Sequence, residues 1–100
     1  ELDTPAIVID LDIMERNLQR VAGYAREHGL ELKPHTKTHK IPSLARKQMD
    51  LGAAGITVAK TGEAEVMLEA QPKEIYVAYP VIGRKKLARL MEVARKTRIT

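Results

Sequence analysis

The 100-residue sequence contains no cysteine, no phenylalanine and no tryptophan. The absence of cysteine excludes thiolate-ligated zinc sites and thiol nucleophiles from this chain, and it leaves the redox compartment undecided. Hydrophobic residues make up 44% of the sequence and charged residues 30%. These proportions are typical of a soluble globular protein and exclude a disordered, collagenous or disulfide-stapled one.

Long apolar runs are also absent, since no stretch approaches the ~20 residues that a membrane span needs. The amino-terminal residues lack the basic and then apolar segments of a secretory signal. We therefore expect a cytoplasmic protein with no membrane partner.

Positive charge is in modest excess, with 17 Lys and Arg against 13 Asp and Glu and a net charge of +4. The charge is scattered over predicted helix surfaces, and the three tyrosines form no run on which bases could stack. The cluster of Arg84, Lys85 and Lys86 is the best candidate for nucleic-acid binding, but such a cluster is more typical of a solvated helix start. We expect no nucleic-acid partner.

Four short strand-like stretches alternate with segments of helical periodicity. The predicted strands are residues 6–9, 32–36, 56–59 and 75–78, and residues 98–100 look like the start of a fifth. Apolar stripes predict helices over residues 14–25, 41–48, 61–70 and 87–94, the third capped by Thr61. This alternation predicts an α/β fold with a parallel sheet.

A parallel sheet of this kind either stays open or closes into a barrel. Open sheets usually bind nucleotides at glycine-rich turns, and the sequence contains no G-x-G-x-x-G. Residues 55–61 resemble a phosphate-binding loop, but Ala59 stands where the second glycine is needed. We therefore expect a (β/α)8 TIM barrel, of which this chain supplies roughly the first half, because such a barrel takes about 200 to 250 residues.

The most unusual segment runs from Lys33 to Lys40 and reads Lys-Pro-His-Thr-Lys-Thr-His-Lys. If it continues the second strand, alternation places His35, Lys37 and His39 on one face. At the carboxyl end of a barrel strand, that face opens into the active site. Cationic neighbours and partial burial favour loss of a proton from an amine, and Schiff-base chemistry requires the neutral amine. Lys37 is therefore a candidate nucleophile.

Two other interpretations of this segment remain open. A basic loop after a strand is often only solvated surface. His35 and His39 have a spacing that suits zinc, but no third ligand stands out, and Glu63 is distant in sequence. We assign no metal ligand within this chain.

Three segments of the chain resemble a known family. The start Leu-Asp-Thr-Pro-Ala (2–6), with Ile-Asp-Leu (9–11) and Glu-Arg-Asn (15–17), resembles the amino-terminal region of fold-type III pyridoxal-phosphate enzymes. The segment from Lys33 to Lys40 is similar to the cofactor-lysine motif of the D-threonine aldolase and D-serine dehydratase branch. Residues 55–65 fit the next strand and helix of that branch. The resemblance covers essentially the whole chain.

The resemblance implies a role for the chain and for Lys37. The chain would be the amino-terminal part of an alanine racemase-like barrel, with the rest of the barrel and a carboxy-terminal β-domain lying outside residues 1–100. Lys37 would form the Schiff base with pyridoxal 5′-phosphate. The full-length protein would be a homodimer, and a divalent metal would be held by residues outside this chain. We expect the isolated segment to be inactive.

The reaction implied by the resemblance is lysis of a D-β-hydroxy amino acid. Retro-aldol cleavage of the D-threonine aldolase type would give glycine and an aldehyde. The alternatives are D-serine dehydratase activity, which gives pyruvate and ammonia, and a non-catalytic barrel that only carries the cofactor. Four further residues are predicted to contact the cofactor because each falls at the carboxyl end of a predicted strand: His35, His39, Lys60 and Tyr79. Alternatively, Lys60 only precedes a helix cap, and Tyr79 only packs in a turn before Pro80.

Overall fold

The computed structural model describes residues 2–100, which form a mixed α/β unit around a small parallel sheet. The helices are α1 (Leu11–Glu27), α2 (Pro42–Asp50), α3 (Thr61–Met67) and α4 (Arg84–Ala94). The strands are β1 (Ile56–Val58), β2 (Glu74–Val77) and β3 (Arg98–Ile99), and single 3-10 turns cover Thr36–Thr38 and Leu68–Ala70. None of the helices in the described part of the chain is long and apolar enough to cross a bilayer.

The sheet has the order β1-β2-β3, and both neighbouring pairs are parallel. Ile56 pairs with Ile75, and Ile75 pairs with Ile99. Helices α2, α3 and α4 cover the sheet, and the core lies between these two layers. Its buried members are Ala45, Ile56, Val58, Ala64, Met67, Ala70, Ile75 and Val93. The predicted alternation is thus confirmed from β1 onward as a mixed α/β fold with a parallel sheet.

Local side-chain chemistry sets several element boundaries. The carboxylate of Asp10 accepts a hydrogen bond from the backbone N–H of Ile13 at 3.0 Å and starts α1. After α1, Gly29 adopts a left-handed conformation with φ of +63°, which glycine allows at low cost. At the start of α3, Lys60 occupies the N-cap position and Thr61 is the first helical residue, so the predicted cap at Thr61 is wrong by one position.

The close approach of β1 and β2 requires a glycine. A Cβ atom placed on Gly55, directly before β1, would lie 2.5 Å from the backbone oxygen of Glu74 at the start of β2. Real Cβ atoms do not approach a carbonyl oxygen this closely. Gly55 therefore permits the pairing of the two strands.

The first predicted strand, residues 6–9, is wrong. These residues are extended but pair with no other strand among residues 2–100, and Ile7 and Val8 remain 96% and 74% exposed. The residue types of this segment favour a strand, but a strand also needs a neighbouring segment with free backbone N–H and C=O groups.

The second predicted strand, residues 32–36, forms only in part. The backbone oxygens of Leu32 and Pro34 accept hydrogen bonds from Ala54 and Thr57, and His35 makes an isolated parallel bridge to Thr57. Pro34 has no N–H to donate, which interrupts a regular ladder. The segment therefore lies beside β1 as an irregular neighbour.

Candidate functional site

The predicted site residues lie where three parallel segments end. Residues 32–35 lead into the turn that carries Lys37, β1 leads into Lys60, and β2 leads into Tyr79. Because the segments are parallel, their carboxyl ends meet at one edge, which we call the carboxyl edge. Ligand sites of parallel α/β sheets form at this edge.

Lys37 occupies the middle of the 3-10 turn Thr36–Thr38. The Thr36 hydroxyl is buried and donates a hydrogen bond to the backbone oxygen of Thr57 at 3.2 Å. The backbone oxygen of Thr36 accepts a second hydrogen bond from the N–H of Lys40 at 2.8 Å. These bonds fix the backbone of the turn against β1 while the side chain of Lys37 is exposed.

The predicted alternation of side chains along residues 35–39 is wrong, because this segment forms a turn. A continuing strand would place His35, Lys37 and His39 on one face, but the chain leaves the extended conformation at Thr36. The ring nitrogen Nδ1 of His35 accepts a hydrogen bond from the backbone N–H of Lys37 at 3.2 Å. Such local bonds between side chain and backbone compete with strand pairing and favour a turn. His35 therefore supports the backbone of Lys37.

His39 makes the same kind of bond at the end of the turn. Its Nδ1 accepts a hydrogen bond from the N–H of Ile41 at 3.0 Å, which requires that the imidazole carry its proton on Nε2 when neutral. Burial is the main influence on this ring and lowers the pKa of His39, against smaller opposing effects of Gln48 and Ile41. His39 thus favours the neutral form and holds the start of α2.

The imidazoles of His35 and His39 both direct Nδ1 to the backbone, and the Nε2 atom of His39 is buried with no hydrogen-bond partner in the described chain. Within residues 2–100, no group of three or more His, Asp or Glu side chains is arranged to hold a metal ion. The zinc interpretation therefore lacks a third ligand in the described part of the chain.

Lys60 and Tyr79 line one cavity of about 570 Å³ between the turns that follow β1 and β2. Both side chains are exposed, Tyr79 to 70%. On its other side, Lys60 borders a cavity of about 270 Å³ together with Lys40. Neither cavity is lined by His35, Lys37 or His39. The structure thus brings Lys60 and Tyr79 together and places the Lys37 turn apart from them at the same edge.

Glu63 organises the turn between β1 and α3. Its side chain is buried, and its Oε2 atom accepts a hydrogen bond from the backbone N–H of Ala59 at 2.8 Å. Glu63 is the third residue of α3, so it reaches back to the chain before the helix as the acidic member of a capping box does. Lys60 lacks the hydroxyl of a capping-box Ser or Thr, so the sequence signals this role only through the acidic residue in the first turn of α3.

Thr57 and Tyr76, which share a row of the sheet with His35, are missing from the sequence-based candidates. Thr57 pairs with His35 on one side and with Tyr76 on the other, so the three residues form one row across the sheet. The Thr57 hydroxyl donates a hydrogen bond to the backbone oxygen of Lys33 at 2.7 Å. Tyr76 remains 43% exposed while its neighbour Ile75 is buried in the core. The strand register, which the sequence does not show, reveals this row.

The sequence of this chain is similar to those of known enzymes. The chain is 39% identical over 99 residues to the D-threonine aldolase of Arthrobacter sp. The aligned part makes up 99% of this chain and 26% of the relative. It is 46% identical over 77 residues to the D-threo-3-hydroxyaspartate dehydratase of Delftia sp. strain HT23, which covers 77% of this chain and 20% of the relative. No protein-family model matches.

A solved structure shows the same backbone. The D-threonine aldolase of Filomicrobium marinum superposes with a TM-score of 0.93 at 44% identity, covering 97% of this chain and 26% of that one. A variant of D-threo-3-hydroxyaspartate dehydratase has been solved in a metal-free form. The chain spans about a quarter of the length of the curated relatives it matches.

Proposed function

We propose that this chain, a homologue of the fold-type III pyridoxal-phosphate enzymes D-threonine aldolase and D-threo-3-hydroxyaspartate dehydratase, is part of a lyase that acts on D-β-hydroxy amino acids. The observation that carries the proposal is the near-complete superposition on a D-threonine aldolase structure. The irregular strand neighbour, the parallel sheet and the helices would then be the opening units of a (β/α)8 barrel. The remaining units and a β-domain would lie outside this chain.

The residues at the carboxyl edge fit pyridoxal phosphate. The cofactor needs a lysine amine that is free to react, and no ion pair or side-chain hydrogen bond holds the Lys37 amine within residues 2–100. Its backbone is held by Thr36 and by the imidazole of His35. Lys37 would hold the cofactor through its ε-amino group. When bound, the cofactor supplies an electron sink that stabilises negative charge at the α-carbon of the substrate.

The other residues of the chain would position this amine. The hydroxyl of Thr36 and the ring of His35 fix the turn, so the amine of Lys37 projects from a rigid base. The Nδ1 atom of His39 fixes the following backbone. We propose that Lys60 and Tyr79 contribute the wall of the site on the side of β2, and that the Nε2 atom of His35 is available to cofactor or substrate. A fixed nucleophile lowers the entropic cost of reaction.

Retro-aldol cleavage is the reaction that we favour. In it the proton of the β-hydroxyl is removed, the bond between Cα and Cβ breaks, and D-threonine gives glycine and acetaldehyde. The sequence alignment with D-threonine aldolase extends over 99 residues and that with the dehydratase over 77, and the TM-score is 0.93 for the aldolase structure against 0.83 for the dehydratase. Dehydration is the second candidate, because identity to the dehydratase reaches 46% in the matched part. In that reaction the α-proton and the β-hydroxyl are lost, and the product hydrolyses to a keto acid and ammonia.

A divalent metal, a homodimer and a cytoplasmic location also belong to the proposal. The existence of a metal-free form of the dehydratase variant supports a metal in that relative. The ligands would come from chain outside residues 1–100. A dimer and a cytoplasmic location rest on the family resemblance.

The test is product analysis with the full-length protein. D-threonine should yield equal amounts of glycine and acetaldehyde, and D-serine should yield little pyruvate. Lys37→Ala should abolish turnover, whereas Lys47→Ala, which changes a lysine of α2 away from the carboxyl edge, should retain it. Pyruvate from D-serine as the main product would favour dehydration. Binding of the cofactor without turnover of either amino acid would favour the carrier.

A further inference from the structure

Two buried side-chain atoms of complementary chemistry lack partners near the turn of Lys37. They are Nε2 of His39, at the end of the turn, and Oε1 of Gln48, in the second half of α2. Neither atom completes a hydrogen bond among residues 2–100. A buried polar atom without a partner is costly, and most such atoms in proteins are satisfied.

The bond on the other side of the His39 ring decides which of the two atoms is the donor. Nδ1 accepts a hydrogen bond from the N–H of Ile41 at 3.0 Å, so the neutral ring carries its proton on Nε2. Nε2 is therefore a donor without an acceptor, and Oε1 of Gln48 is an acceptor without a donor. Burial lowers the pKa of His39, and Gln48 opposes this fall, as an acceptor oxygen close to a ring N–H does.

The surroundings of Gln48 offer no other side-chain donor on the side of α1. Gln48 lines a cavity of about 220 Å³ there. The other lining residues are all apolar: Leu18, Val21, Ala22, Leu32, Pro34 and Leu51. The imidazole of His39 is thus the partner that suits the amide oxygen.

The bond between His39 and Ile41 spans a strained residue. Lys40 lies between them with a φ of +53°, in the left-handed region that a residue with a Cβ atom occupies at a cost in free energy. The N–H of Lys40 closes the turn of Lys37 by its bond to the backbone oxygen of Thr36 at 2.8 Å. Ile41 is the N-cap residue of α2. The imidazole therefore holds Lys40 in the conformation that ends the turn and starts the helix.

We propose that Gln48 is a positioning residue for Lys37, because its Oε1 accepts a hydrogen bond from Nε2–H of His39 and so fixes the tautomer whose Nδ1 holds the turn. The terminal torsion of a glutamine amide is broad, which allows the oxygen to align with the ring N–H. The bond ties α2 back to the turn from which the Lys37 amine projects. The positioning of a cofactor lysine rests on the proposed function, whereas the hydrogen bond does not.

The first test is the protonation of the His39 ring in the full-length protein, labelled with nitrogen-15 histidine and measured without cofactor. Nitrogen chemical shifts distinguish a protonated from an unprotonated ring nitrogen, and we expect the parent to hold the proton on Nε2. Gln48→Met keeps the length of the side chain and removes the acceptor, so it should shift the population towards the Nδ1–H tautomer. Gln19→Met, at an exposed position in α1, is the matched control and should leave the parent signals unchanged.

The second test separates the hydrogen bond from packing. In His39→Asn the side-chain oxygen accepts from the N–H of Ile41, as in an Asx turn, and needs nothing from Gln48. In the parent, Gln48→Met should raise the unfolding equilibrium constant about 3- to 10-fold, the factor that one hydrogen bond supplies, and should weaken binding of pyridoxal phosphate. In the His39→Asn background, Gln48→Met should change either quantity by less than about 2-fold.

Equal effects of Gln48→Met in the two backgrounds would show that Gln48 acts through packing, and would overturn the proposal. A His39 tautomer that does not respond to Gln48→Met would overturn it as well. If Gln48→Met does not fold, the double variant decides: a folded double variant supports the proposal, and an unfolded one refutes it.

The tautomer is measured without cofactor, so the two proposals fail separately. A tautomer that depends on Gln48, in a protein that binds no pyridoxal phosphate, would support the hydrogen bond and refute the proposed lyase. Cofactor affinity and D-threonine cleavage that Gln48→Met leaves unchanged would refute the positioning role and leave the lyase standing.

Discussion

The Thr36 hydroxyl donates a hydrogen bond to the backbone oxygen of Thr57 across 3.2 Å, and this bond joins the turn of Lys37 to β1. Thr36 is fully buried, whereas its neighbour Lys37 is exposed. Thr36 is therefore the anchor of a turn that exposes the side chain of Lys37. Loss of this hydrogen bond should displace the Lys37 amine, although Lys37 itself is unchanged.

Thr36→Val is the direct test of this anchor, because valine keeps the shape of threonine and lacks the hydroxyl. We expect the loss of about 1 to 2 kcal/mol in the free energy of unfolding, since one buried hydrogen bond is removed. Binding of pyridoxal phosphate should weaken because Lys37 is less well positioned. Thr36→Ser retains the hydroxyl and should bind the cofactor more tightly than Thr36→Val. Equal cofactor affinity in the two variants would contradict the anchoring role.

Gly55→Ala tests the close approach of β1 and β2. The added methyl group would lie 2.5 Å from the backbone oxygen of Glu74, so the strands must separate. We expect a loss of about 1 to 3 kcal/mol, as for overpacking elsewhere in protein cores. Gly23→Ala is the control, since its nearest neighbour would be 3.9 Å away and the site lies inside α1. Alanine should stabilise that helix by up to about 1 kcal/mol. Chemical denaturation of both variants measures the contrast, and equal effects would refute it.

Glu63→Ala tests the turn between β1 and α3. The substitution leaves the N–H of Ala59 without its acceptor, and we expect a loss of about 1 to 2 kcal/mol. Glu63→Gln keeps an oxygen acceptor and should lose less. Glu69→Ala, at an exposed position in the following 3-10 turn, should stay within about 0.5 kcal/mol of the parent. Chemical denaturation should give the highest unfolding midpoint for Glu69→Ala, a lower one for Glu63→Gln and the lowest for Glu63→Ala. Equal midpoints would contradict the role of Glu63.

Glu74 is expected to make stability depend on acidic pH. A hydrogen bond from the Thr100 hydroxyl at 2.6 Å and the ammonium of Lys33 at 3.1 Å hold the pKa of Glu74 below its ordinary value of 4.5. The unfolded chain then binds a proton more readily than the folded chain. The stabilisation is therefore complete above pH 4.5 and is lost as the pH falls through the lowered pKa.

Urea midpoints measured between about pH 7 and pH 3 check this dependence. Glu74→Gln should flatten the decline below the ordinary pKa, whereas Glu69→Gln, at an exposed position, should follow the parent curve. Parallel curves for parent and Glu74→Gln would remove Glu74 as the cause.

The sequence predicts the chain well where local pattern and tertiary packing agree. From β1 to β3 the apolar stretches pair in parallel and the intervening stripes form helices, because Ile56, Ile75 and Val93 share one core. It fails at residues 6–9, where propensity favours a strand and no partner is present in the described chain.

The candidate site was predictable in its location and less so in its geometry. Parallel strands bring Lys60 and Tyr79 to one cavity, as their places after β1 and β2 indicate. The conformation around Lys37 was not predictable from alternation, because the ring of His35 bonds to the backbone of Lys37 and closes a turn. The hydrogen bond between Thr36 and Thr57 was also not predictable, because nothing in the sequence indicates that these two residues are close.

The amine of Lys37 is proposed to hold the cofactor, and reductive trapping probes this bond itself. The full-length protein is incubated with pyridoxal phosphate and reduced with borohydride, which converts a Schiff base into a stable secondary amine, and the labelled lysine is located by peptide mapping. We predict that the label lies on Lys37 and disappears in Lys37→Ala. A label on Lys40 or Lys60, or a labelled protein in which Lys37 is unmodified, would rule out Lys37 as the cofactor lysine.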